Sequence, residues 1–142
     1  MHEYEHDPRV RAFGEESAAA LGVSPEQVYK TLVALVDTEP TLAIVPVSGH
    51  LDLKALATAC GGRRAEMAPA AIAERLTGYV IGGISPIGTK RGLPTYLEEE
   101  AVLFDVIHVS GGRRGLSLGL SAEDLIAVTG AHLASIARPG PA

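Results

Sequence analysis

Two β-rich runs, VYKTLVALV over residues 28–36 and TLAIVPV over 41–47, flank Asp37-Thr38-Glu39-Pro40 and constrain the fold more than any other feature. Branched and aliphatic residues favour a pleated, half-buried surface, whereas an Asp- and Pro-containing break between them is turn chemistry, so the pair predicts an antiparallel hairpin. Alternation in the first run sets Val28, Lys30, Leu32 and Ala34 on one side and Tyr29, Thr31, Val33 and Leu35 on the other. A lysine thus falls on an apolar face. It is either an edge charge reaching water or a fixed cation, with a lowered pKa, inside a pocket.

Around the hairpin the pattern changes type repeatedly. Residues 8–21 read as a helix closed by Gly22, and Ser24-Pro25-Glu26-Gln27 supplies an N-cap, a first-turn proline and a capping-box glutamine for a short helix. LDLKALATACGG, over 51–62, and residues 69–76 read as two further helices, the first with an apolar stripe of Leu51, Leu53, Leu56 and Ala57. Beyond Gly78 come a strand-like YVIGGI, an irregular SPIGTKRGLPT, β-type stretches over 102–109 and 116–120, a helix capped at Ser121, and HLASIA as a closing strand. Strands and helices interleaved without a repeat predict an α/β (α+β) fold: a mixed, barrel-like β-sheet flanked by helices, in one domain over residues 1–142.

The core must be built from Ala, Val, Leu and Ile, because 46% of the chain is apolar but only 4% is aromatic. With 12 basic against 17 acidic residues the net charge is −5, which argues against a protein that grips long nucleic acid unaided and leaves a short nucleic-acid end open. No apolar run reaches membrane-spanning length, and the His-, Glu- and Asp-bearing N-terminus does not read as a secretion signal. A cytoplasmic protein is expected, without membrane or DNA as partner. Its one cysteine, Cys60, can form no internal disulfide.

HEYEH, over residues 2–6, matches the zinc-hydrolase spacing H-E-x-x-H, but that motif needs a helix, and Pro8 biases Asp7 away from one. An extended segment before a helix is the better reading, and no metal is expected. Gly83-Ile-Ser-Pro-Ile-Gly88 has phosphate-loop spacing, yet Thr89 precedes Lys90 where Lys should follow glycine directly. Gly82-Gly83-Ile84-Ser85-Pro86 reads either as a tight bend or as backbone presented to a small polar group. The loop Ser110-Gly111-Gly112-Arg113-Arg114-Gly115 reads either as a hairpin turn or as an anion contact. A nucleophile is harder to find: there is no G-x-S-x-G elbow, and Cys60 reads as a small buried residue at a helix end.

YEHDP, VYKTLV, GHLDLKALA, TGYVIGGISPIG with KRGLPT, and VSGGRRGLSL occur in this order along nearly the whole chain. Together they resemble the YbaK/prolyl-tRNA-synthetase-associated domain family, most closely its YbaK branch of cysteinyl-tRNA deacylases. The resemblance implies a trans-editing enzyme, without cofactor, that clears cysteine wrongly attached to proline tRNA. It implies Lys30 as the essential lysine at the terminal adenosine or ester, with Thr31 beside it. Gly82, Gly83, Ile84, Ser85 and Pro86 match the loop lining the aminoacyl pocket, Tyr4 and Phe13 match aromatic positions next to it, and Ser110 matches a serine of the second glycine loop. Ser117 stands where the branch usually has Asp, and the chain is N-terminally short relative to the family. The implied partners are the CCA end of an aminoacyl-tRNA and prolyl-tRNA synthetase. Alternatives are a deacylase for alanyl-tRNA(Pro) or another small misacyl-tRNA, or a non-catalytic adaptor for tRNA or synthetase.

Overall fold

The computed structural model describes residues 2–3, 24–79, 83–88, 93–112 and 116–139. Along the chain lie β1 (His2–Glu3), a 3-10 turn (Pro25–Gln27), β2 (Tyr29–Val36), β3 (Glu39–Pro46), β4 (Gly49–Leu51), α1 (Leu53–Ala59) and β5 (Ala65–Met67). There follow α2 (Ala70–Thr77), β6 (Thr95–Glu98), a second 3-10 turn (Glu99–Leu103), β7 (Ile107–Ser110), β8 (Leu116–Leu120), α3 (Ala122–Thr129), β9 (His132–Ala134) and β10 (Ala137–Pro139). Helix starts follow capping chemistry: Asp52 accepts from Ala55 N and Ser121 Oγ from Asp124 N. Gly78 and Gly130 close α2 and α3 in the left-handed conformation that glycine adopts without a Cβ clash.

The hairpin forms as expected, in unbroken antiparallel register from Tyr29 opposite Pro46 to Val36 opposite Glu39. Its turn is shorter than the sequence suggests. Asp37 and Thr38 alone make it, at φ 48° and 72°, the two-residue geometry whose twist matches that of the flanking strands. The Asp37 carboxylate accepts from the amides of Arg63 at 3.0 and 3.1 Å and of Arg64 at 3.0 Å, tying the turn to the chain after α1. Those Arg63 and Arg64 amides hold its pKa below the usual carboxylate range.

A five-stranded sheet runs β5-β2-β3-β6-β9, a three-stranded sheet β1-β8-β7, and a two-stranded pair β10-β4. β2 is antiparallel to β3 and β5, whereas β6 is parallel to both β3 and β9, so the sheet is mixed. A parallel bridge between Val28 and His108 joins the first two sheets. On one face α1 sets Leu56 and Ala57 against Ala34, Val36, Ala43, Val45 and Ile136. On the other, Tyr29, Ile44 and Leu97 pack with Ile107, Val109 and Leu125, and Val33 and Leu42 pack with Ala73 and Ile84. The protein is a mixed α/β fold, and its strands form three sets among the described residues.

Several expectations change in detail. β6 is absent from the sequence reading, because Pro94 and the preceding glycines mask a four-residue run; it is the parallel neighbour of β3. The stretch over 102–109 divides into the end of a 3-10 turn and β7, since the Glu-rich start favours a helical turn. HLASIA contributes β9, and the chain then enters β10. The helix over 8–21 and residues 80–82 of YVIGGI lie outside the described residues, while Gly83 and Ile84 are irregular.

Glu98, 3% exposed, supports the end of the sheet. Its Oε1 accepts from Ile136 N and Ala137 N, both at 2.9 Å, and its Oε2 from Glu100 N at 3.0 Å. Removing a buried acceptor strands its donors, so Glu98→Ala is expected to lower the unfolding free energy by about 2–4 kcal/mol in urea titrations. Glu98→Gln, which keeps one carbonyl oxygen, should lose less.

Candidate functional site

Lys30 is the second residue of β2, opposite Val45. Its half-buried amine donates to the Gly49 carbonyl at 3.1 Å, and burial pushes its pKa down. An ammonium has three donors, and among the described residues only the Gly49 carbonyl is shown to take one. The bridge between Val28 and His108 is parallel, so Lys30 and Ser110 each follow two residues later on the joined strands. Ser110 in turn lies directly opposite Ser117, and Ser117 opposite His2. Strand alternation therefore sets Lys30, Ser110 and Ser117 on one side of the joined sheets. Buried His108 shares that side, and no sequence spacing linked it to Lys30.

Thr31 goes the other way. It is buried on the Val33 side, and its Oγ1 has no hydrogen-bond partner among the described residues. Gly83, Ile84, Ser85 and Pro86 are all buried, with Ile84 packed against Val33 and Leu42 on that same side. Ser85 Oγ accepts from Ile87 N at 3.2 Å and so shapes the loop. Tyr4, Phe13 and Gly82 lie outside the described residues.

Tyr79, a residue the sequence reading did not single out, connects the two glycine loops. Its hydroxyl donates to Ile87 O at 2.7 Å, and a Cβ on Gly112 would lie 3.1 Å from its ring. Gly112 N donates to Ser110 Oγ at 3.2 Å, so the second loop is pinned to β7 while it packs on Tyr79. The signal was an aromatic residue between two small-residue runs, which by itself is common. Cys60 is partly buried beside Tyr96, and with its thiol pKa raised by burial it is no activated nucleophile. His2 and Glu3 are in a strand, which does not give the helical spacing that a zinc motif requires. No group of three His, Cys, Asp or Glu able to hold a metal occurs among the described residues.

A half-buried lysine, two opposed serines and two glycine loops joined through Tyr79 are thus set in one mixed α/β fold. Residues 7–128 match the aminoacyl-tRNA editing domain family, and the chain belongs to that family, in its YbaK type. It is 42% identical over 123 residues to EbsC of Enterococcus faecalis, provisionally named a Cys-tRNA(Pro)/Cys-tRNA(Cys) deacylase, covering 86% of this chain and 75% of that protein. A proline–tRNA ligase of Maridesulfovibrio salexigens is 31% identical over 111 residues, 74% of this chain but 19% of the ligase. The crystal structure of a candidate trans-editing enzyme for prolyl-tRNA synthetase superposes with a TM-score of 0.87 at 28% identity, covering 96% of this chain and 85% of that one.

Lys30 yields a test independent of activity. Its folded-state pKa lies below the ordinary lysine value, so between the two the unfolded chain holds the extra proton and stability rises with pH. The stability of wild type relative to Lys30→Met should therefore increase as pH rises towards the ordinary lysine value, as read by urea denaturation. A pH-independent difference would place the amine in water.

Proposed function

We propose that this protein clears cysteine mischarged onto proline tRNA, and that Lys30 holds the terminal adenosine or ester while the substrate's own thiol does the chemistry. The observation that carries this reading is a half-buried cation that, among the described residues, bonds to the Gly49 carbonyl alone, at a corner where those residues offer no activated nucleophile. Membership of an editing family, with a relative provisionally named for Cys-tRNA(Pro), supports the substrate. In the proposed step the cysteinyl sulfur bonds to its ester carbonyl carbon, the carbon–oxygen ester bond breaks, and the thiol proton ends on the departing tRNA hydroxyl. Water then opens the resulting thiolactone. Proximity in a tight pocket replaces an enzyme nucleophile.

Such editing answers a physical limit. A synthetase pocket discriminates poorly against a ligand of similar or smaller size, since a methylene is worth only about 1–3 kcal/mol. On this reading Gly82 to Pro86, Tyr4, Phe13 and Thr31 line the aminoacyl pocket, with Ile84 and Thr31 on one side of β2, and Lys30, Ser110 and Ser117 border it from the other. The partner beyond the CCA end is prolyl-tRNA synthetase, which would hold the tRNA body that a chain of net charge −5 grips weakly. The likeness to part of proline–tRNA ligases supports the pairing of this domain type with proline tRNA. We take residues 1–142 as one domain acting in the cytoplasm.

Deacylation of cysteinyl-tRNA(Pro) beside alanyl-tRNA(Pro) tests the reading. Cysteine should be lost and alanine retained. A hydrogen bond to a charged group is worth about 1.5–3 kcal/mol, so Lys30→Ala should slow the reaction about 10- to 150-fold. Equal loss of alanine would exclude self-attack by a thiol, and loss of neither, with tRNA still bound, would leave an adaptor.

A further inference from the structure

The carbonyl that holds Lys30 belongs to a strand with its own support. Gly49 lies opposite Pro139 in the β4–β10 pair, and Asp52 N donates to Ile136 O at 2.7 Å, three positions along. Hydrogen-bonded and non-bonded pairs alternate along an antiparallel ladder, so Asp52/Ile136 and His50/Arg138 are bonded pairs, while Gly49/Pro139 is not. In a non-bonded pair the backbone groups point away from the partner strand. The Gly49 carbonyl is thereby directed off β10 and left for the Lys30 amine, which it meets at 3.1 Å.

Three contacts keep β10 in place. A Cβ on Gly49 would run into the Arg138 carbonyl oxygen, so the two backbones are closer than any other residue at position 49 permits. Arg138 Nε donates to Asp52 Oδ2 at 2.7 Å, while the other Asp52 oxygen caps α1. The Glu98 carboxylate binds the amides of Ile136 and Ala137 at the root of the strand.

We infer that β10, seated on Gly49 and latched to Asp52 by Arg138, is a clamp that fixes the Lys30 amine for substrate, making Gly49 and Arg138 positioning residues. This rests on Lys30 being the substrate-holding group. Displacing β10 moves the Gly49 carbonyl, frees the lysine stem to rotate and opens the amine to water. The titratable and charged groups on the neighbouring elements are His50 on β4, Asp52, Lys54 and Cys60 at α1, Arg138 on β10 and His108 on β7.

The test is an NMR titration of the Lys30 Cε resonance in wild type, Gly49→Ala, Arg138→Ala and Arg138→Lys, beside deacylation of cysteinyl-tRNA(Pro). The Arg138 side chain is 61% exposed, so its variants should fold even if Gly49→Ala does not. Arg138→Ala is expected to move the Lys30 titration up towards that of a free lysine and to slow deacylation several-fold, with Arg138→Lys partly restoring both. Added to Lys30→Ala, it should slow deacylation no further. An unmoved Lys30 titration in a folded Arg138→Ala protein, or an equal further slowing on the Lys30→Ala background, would overturn the clamp. If wild type deacylates nothing, the functional reading falls, and the titration still decides the clamp.

Discussion

The rest of the fold depends on the register of β2, because this strand is paired at both edges and its beginning also adjoins the second sheet. It pairs with β3 along its whole length and with β5 at its far end, and the bridge from Val28 to His108 ties its beginning to the second sheet. A slip of one residue would exchange the two faces, placing Thr31 where Lys30 now meets Gly49 and sending Val33 out of its contact with Leu42 and Ile84. Burial on both faces makes that slip costly, and the site inherits its geometry from this register.

A second theme is how the acidic excess is used. Three carboxylates serve the backbone: Asp37 holds the hairpin turn, Asp52 starts α1, and Glu98 ties β10 to the end of β6. Each accepts from amides that would otherwise lack partners, and hydrogen bonds to ionised groups are the stronger kind. Part of the net charge of −5 is thus structural. Asp52 links two of these supports, since one oxygen caps the helix and the other receives Arg138.

The chemistry proposed for the site asks little of side chains and much of placement. A half-buried cation, buried loop backbone and an aromatic hub at Tyr79 suit a substrate that brings its own thiol. In such a site, selectivity would rest on the shape that the glycine loops hold, since the proposed step uses the substrate's own thiol. On that proposal the supports of Lys30 matter more than any general base.

The hairpin, the caps at Ser24 and Ser121 and the amphipathic α1 were legible from residue order alone, because each depends on neighbours within a few positions, whereas the cap at Asp52 was read as part of the helix it starts. Lys30 was legible as an anomaly, a charge on an apolar face, though the residue that receives its amine was not. β6 and the short strands β4, β5 and β10 escaped notice because three or four residues carry too little periodicity to outweigh adjacent Gly and Pro. By itself the sequence determined the local elements, the family resemblance and the alternation that separates Lys30 from Thr31. Only the tertiary structure decided that Ser110 and Ser117 join Lys30's side and that Gly49 receives its amine. Those pairings connect strands far apart in the chain, and their register is set by burial, not by local preference.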